Sequence, residues 1–129
     1  MEAPLITALY AGILGLMAVV LAFGAGRLRA STGISIGDGG NPELLLAMRR
    51  HGNFIEFVPL TLILIGLIEA TGAPALAIHA LGAVLVICRV SHAIGLKADT
   101  TAGAGRAIGA AGSVLVLVVA SIWSIVSFF

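Results

Sequence analysis

Four apolar runs, each about as long as a bilayer is thick, leave this chain few ways to fold. They cover residues 5–26, 53–70, 75–97 and 106–129. At ~1.5 Å per residue, a helix of about twenty residues crosses the ~30 Å hydrocarbon layer. The first run holds no charged side chain, and Ala8, Gly12, Gly15, Ala18 and Ala22 recur along it at helical spacing. Small residues at such intervals let helices approach closely in lipid. Only 10% of the 129 residues are charged and 60% are hydrophobic. Soluble domains are nearer about 25% charged, so lipid is the expected solvent. The fold class that follows is all-α: an integral membrane four-helix bundle, in one domain over residues 1–129.

Asn41-Pro42 marks the start of the second helix, with Asn as N-cap, Pro at the first helical position and Glu43 in the first turn. No strong stop follows before Thr71-Gly72, so this helix should outrun its apolar span. Residues 27–41 read as a polar loop, because Ser31-Thr32-Gly33 and Gly37-Asp38-Gly39-Gly40 are turn formers. A second polar loop is expected from Lys97 to Gly105. Gly105, Gly109 and Gly112 give the fourth helix a small face at its start.

All seven basic residues fall on, or nearest to, the side holding these two loops. The positive-inside rule then puts both loops in the cytosol and both termini outside it. The N-terminus has no basic leader region and its apolar run is too long for a signal core, so it reads as a retained helix. That fits a bacterial inner membrane.

Several function classes drop out. The net charge is +1 and no basic tract is interleaved with aromatics, so nucleic acid is not an expected partner. The glycine-rich loop has no Walker lysine after it. The single cysteine, Cys88, reads as a buried inert thiol. His51 and His92 lack a third ligand at metal spacing, and His79 stands alone near the opposite face, so no metal is expected. A small multidrug-type transporter would want a carboxylate inside the first helix, and there is none.

Chemistry is left to one stretch, Arg49-Arg50-His51-Gly52-Asn53-Phe54-Ile55-Glu56-Phe57-Val58-Pro59, and to Arg89-Val90-Ser91-His92. Arg49, Asn53 and Glu56 stand at i, i+4 and i+7, on one helix face. Arg89 and His92 share a face of the third helix, and Arg106 opens the fourth on the same side of the membrane. A charge at hydrocarbon depth costs ~2.5–3.5 kcal/mol on insertion scales, so it should face inward and be paired. Glu56 with Arg89 is the natural pair. Two readings remain open: a structural ion pair, or a pocket for an anionic ligand lined by guanidinium forks.

The first of these stretches resembles the signature of the MAPEG family, membrane-associated proteins in eicosanoid and glutathione metabolism. Arg89-Val90-Ser91-His92-Ala93-Ile94-Gly95 resembles the family's third-helix motif, and Gly26-Arg27-Leu28-Arg29 the end of its first helix. The resemblance implies a homotrimer with glutathione held between adjacent subunits near the cytosolic side. It assigns glutathione contacts to Arg27, Arg49, Asn53, Glu56, Arg89 and His92. Arg106 would lie near the sulfur, where a cation favours the thiolate nucleophile. The implied activity is transferase- or peroxidase-like, on lipophilic electrophiles taken from the bilayer. Gly52, Leu96, Ala107 and Ala110 depart from the family pattern, Leu96 and the two alanines at positions where hydroxyl-bearing side chains are expected. A non-catalytic protein of the same fold is the alternative expectation.

Overall fold

A computed structural model describes residues 3–97 and 103–129. Among them are four helices, α1 (Leu5–Thr32), α2 (Pro42–Ala70), α3 (Ala75–Gly95) and α4 (Ala104–Val126), and no strand. Each is long and apolar enough to cross a membrane. The protein is a four-helix membrane bundle, as its apolar runs imply.

The start of α2 is the one its sequence predicts. Asn41 Oδ1 accepts from the backbone N–H of Glu43 and of Leu44, both at 3.0 Å, and Pro42 takes the first helical position. The end of α1 differs from expectation. The helix continues past residue 26 through Arg27 and Arg29 to Thr32, and Gly33 closes it in the left-handed region at φ 70°. Ser31 and Thr32, read as turn formers, instead donate their hydroxyl protons to the carbonyl of Leu28 at 3.0 and 2.7 Å. Such back-bonding satisfies a hydroxyl inside a helix. Arg29 then donates to the carbonyls of Ile34 and Gly37, at 3.2 and 2.9 Å, and ties down the loop that follows. The second polar loop lies partly outside the described residues.

α3 packs most extensively on α4, and α1 on α2. α1 also touches α3 but makes no contact with α4 among the described residues. Leu14, Phe54, Val58, Ile65, Ile78, Leu85 and Val116 form the core between them. The outer faces carry Leu9, Leu16, Phe23, Ile63, Ile87, Leu115 and Ile122, all exposed. In water so broad an apolar surface would promote association; against acyl chains it is matched to its solvent.

Two features fix how the helices meet. At the end away from the basic residues, the carboxylate of Glu69 in α2 caps α1. Its Oε1 accepts from the N–H of Ile6 at 2.8 Å, and its Oε2 from the N–H and hydroxyl of Thr7 at 2.7 and 2.6 Å. α1 begins after Pro4 with no cap of its own, so Glu69 fills the orphan donors and meets the positive end of the helix dipole. At the basic end, glycines bring α3 and α4 together backbone to backbone. A Cβ on Gly109 would collide with the Cys88 carbonyl and the His92 backbone, and one on Gly95 with the backbone of Gly105 and Arg106.

Candidate functional site

The seam between α3 and α4 decides what chemistry the basic end can hold. Because Gly95 and Gly109 admit close approach, His92 near the end of α3 and Arg106 at the start of α4 line one cavity. α2 supplies the other wall with Pro42, Leu45, Leu46, Arg49 and Asn53, and Leu96 closes the end of α3. The cavity holds about 270 Å³, close to the lower end of the ~300–1,000 Å³ typical of small-molecule sites. Two guanidiniums, an amide and an imidazole share it with aliphatic side chains, and no carboxylate lines it.

Four of the seven residues singled out in the sequence therefore meet: Arg49, Asn53, His92 and Arg106. Arg49 is exposed at the rim, Asn53 and Arg106 are half-buried, and His92 is buried. The other three stand elsewhere. Arg27 lies on the outer surface of α1, in a shallow groove with Val20, Phe23 and Gly24. Glu56 is exposed on the outside of the single chain. Arg89 is only 2% exposed and lies behind Asn53, out of the cavity.

The expected Glu56–Arg89 ion pair is not formed within the chain. Arg89 Nη1 donates to Asn53 Oδ1 at 2.8 Å, and Nη2 to the Gly109 carbonyl at 3.1 Å. The guanidinium also lies 5.8 Å from the centre of the Phe57 ring, within cation–π range. The reason is angular. Asn53 turns towards α3 while Glu56, three residues on, turns outward, so the helix rotation gives Arg89 a neutral acceptor. The arrangement determines the amide as well. With Oδ1 taken by Arg89, the NH2 of Asn53 is the end left to serve the cavity, a donor suited to anions.

Sequence reasoning missed two contributions. Arg50 donates from Nη2 to the Leu96 carbonyl at 2.6 Å, joining α2 to the end of α3. The Gly109 carbonyl anchors Arg89, a backbone role with no side-chain signal. At the opposite end, outside the site, Tyr10 and His79 are hydrogen-bonded at 3.1 Å. Of the positions that depart from the family pattern, Leu96 lines the cavity and Gly52, Ala107 and Ala110 do not. No group of three metal-ligating side chains occurs among the described residues.

Comparison with known proteins agrees with this architecture. The sequence model of the MAPEG family matches residues 7–126. The inner membrane protein YecN of Escherichia coli K12 is 36% identical over 91 residues, 70% of either chain, and YecN of Escherichia coli O6:H1 aligns equally well. No solved structure matches the chain.

Proposed function

The chain belongs to the MAPEG family, and from that premise we propose that it is a glutathione-dependent transferase or peroxidase acting on lipophilic electrophiles in a bacterial inner membrane. The observation that carries the reading is the cavity at the basic end, where Arg49, Asn53, His92 and Arg106 converge. The relative YecN is described as an inner membrane protein, which supports the location. The distribution of basic residues supports a cavity on the cytosolic side.

The donor set fits the proposed co-substrate. Glutathione carries two carboxylates, and when bound it supplies a thiol nucleophile. Arg49 and Asn53 offer N–H groups to a carboxylate from the α2 wall, and guanidinium forks suit that geometry. We assign to Arg106, on the α4 wall, the role of the cation that favours a thiolate, as the family resemblance implies. The aliphatic wall of Leu45, Leu46 and Leu96 suits an apolar second substrate.

Arg27 and Glu56 enter this reading only through a second copy of the chain. Glu56 is exposed, and on a helix read as crossing the bilayer an uncovered carboxylate would be costly. A homotrimer, which the family resemblance implies, would cover it and bring Arg27 of one subunit towards the cavity of another.

A second reading is favoured by the wall itself. Leu96 brings no hydroxyl to the cavity, so the same guanidiniums could serve a non-catalytic protein that binds a different anion. Titration of the detergent-solubilised protein with glutathione separates the two. A ligand at a hundred times its dissociation constant adds about 2.7 kcal/mol of stability, read as a rise in melting temperature. No rise at millimolar glutathione rejects the enzyme.

A further inference from the structure

Arg49 and Arg50 are neighbours in sequence, yet they act in different places. Arg49 lines the cavity, whereas Arg50 is half-buried and reaches across to α3. Its Nη2 donates to the carbonyl of Leu96 at 2.6 Å, across 46 positions of sequence. Leu96 is the C-cap of α3; its backbone has left the helical region, at φ −81° and ψ 109°, and its N–H still donates to the His92 carbonyl. The last carbonyls of a helix have no partner within it, and a cation there also meets the negative end of the dipole.

The position of this contact matters more than its strength. His92 and Leu96, one turn apart, are the α3 contribution to the cavity wall, while Pro42, Leu45, Leu46, Arg49 and Asn53 are the α2 contribution. Among the described residues, α2 and α3 are joined at this end by two polar links. One is the buried bond from Arg89 to Asn53, below the cavity, and the other is Arg50 to Leu96. The first sits on a helix already held by the glycine seam with α4. The second holds the Leu96 carbonyl, one residue past the last seam glycine, Gly95, where the chain has turned extended and the carbonyl has no partner within the helix. We propose that Arg50 is a positioning residue: by holding the Leu96 carbonyl it sets the distance between the α2 and α3 walls, and so preforms the anion cavity without touching the ligand.

The proposal takes its ligand, glutathione, from the function proposed above, so its test has an arm that needs no ligand. Spin labels at Glu43→Cys and Lys97→Cys, both exposed positions, report the separation of α2 from the end of α3 in a Cys88→Ala background. Arg50→Gln should broaden the inter-label distance distribution, and Arg50→Lys, which keeps a charged donor, should narrow it again. In the same proteins, Arg50→Gln should raise the glutathione dissociation constant about tenfold, the scale of a lost hydrogen bond to a charged group, and Arg50→Lys should recover most of it. Thiolate absorbance at saturating glutathione should stay as in the wild type, since Arg106 is untouched. Arg50→Met keeps the apolar stem and replaces Arg50→Gln if that variant does not fold.

An unchanged distance distribution in Arg50→Gln overturns the proposal, as does a broadened one with unaltered affinity. If the wild type binds no glutathione, the functional reading fails, and the distance arm alone decides whether Arg50 holds the two walls.

Discussion

Arg89 and Asn53 form a bond between a buried guanidinium and a neutral amide, 2.8 Å from Nη1 to Oδ1, where a carboxylate would be the usual partner. The charge is therefore solvated by polar groups and not cancelled: an amide oxygen, the Gly109 carbonyl and the face of Phe57. A positive charge not cancelled within the chain, behind the cavity wall, would favour an anion over a cation there.

That relationship makes Asn53→Asp informative. One carboxylate oxygen would keep the bond to Arg89, and the ion pair would preserve the fold. The other oxygen would present negative charge to the cavity in place of the NH2. The melting temperature should hold within a few degrees while glutathione affinity falls at least about tenfold, the scale of one charge-assisted hydrogen bond. Asn53→Ala should instead lower stability by roughly 1–3 kcal/mol, because the buried guanidinium loses its side-chain acceptor and keeps only backbone carbonyls. Thermal melts and ligand titration of both variants check the contrast.

Gly109→Ala should cost roughly 1–3 kcal/mol, the usual penalty for overpacking. The added methyl meets the Cys88 carbonyl and the His92 backbone, neither of which can rotate away. Gly12→Ala is the control, since nothing lies within 4 Å of its new Cβ and its effect should be small. Chemical denaturation in detergent reads both.

Glu69→Ala should destabilise the attachment of α1. It removes three charge-assisted hydrogen bonds and leaves the N–H groups of Ile6 and Thr7 orphaned. The expected loss is about 2–3 kcal/mol, with amide exchange rising first at residues 5–9. Glu43→Ala, at an exposed first-turn position of α2, should lose about 0.3–1 kcal/mol through the helix dipole alone. Equal losses would reject the capping role of Glu69.

Arg106→Ala should abolish thiolate absorbance in the glutathione complex while part of the binding survives through Arg49 and Asn53. Unchanged absorbance would remove Arg106 from its proposed role. Glu56→Gln tests assembly: if a second subunit covers this carboxylate, the variant should shift the mass distribution in detergent towards monomer, with the helical content of each chain intact.

How far the sequence foretold this molecule depends on the range of the interaction involved. Hydrophobic run length and the Asn41–Pro42 cap are local signals, and they locate α2 and the number of helices. The small face of Gly105, Gly109 and Gly112 announces close packing and is found against α3. The partner of Arg89 was not legible, because it depends on how α2 is rotated about its axis, and a few tens of degrees separate Asn53 from Glu56 as the facing residue. Glu69 gave no warning either: its partners are the N–H groups of Ile6 and Thr7, more than sixty positions away, and backbone donors have no signature in a sequence. Ser31 and Thr32 misled for the opposite reason. Their hydroxyls suit a turn and a helix equally, and only the bonds to Leu28 decide.

The glycine seam between α3 and α4 has one further effect. Where methyl groups separate two helices, the spacing gives a little with every rotamer change. Here main chain rests on main chain, at the level where His92 and Arg106 are set. The gap between those two side chains is thus held by the least compressible part of the protein, and lipid-facing positions can drift in sequence without retuning it.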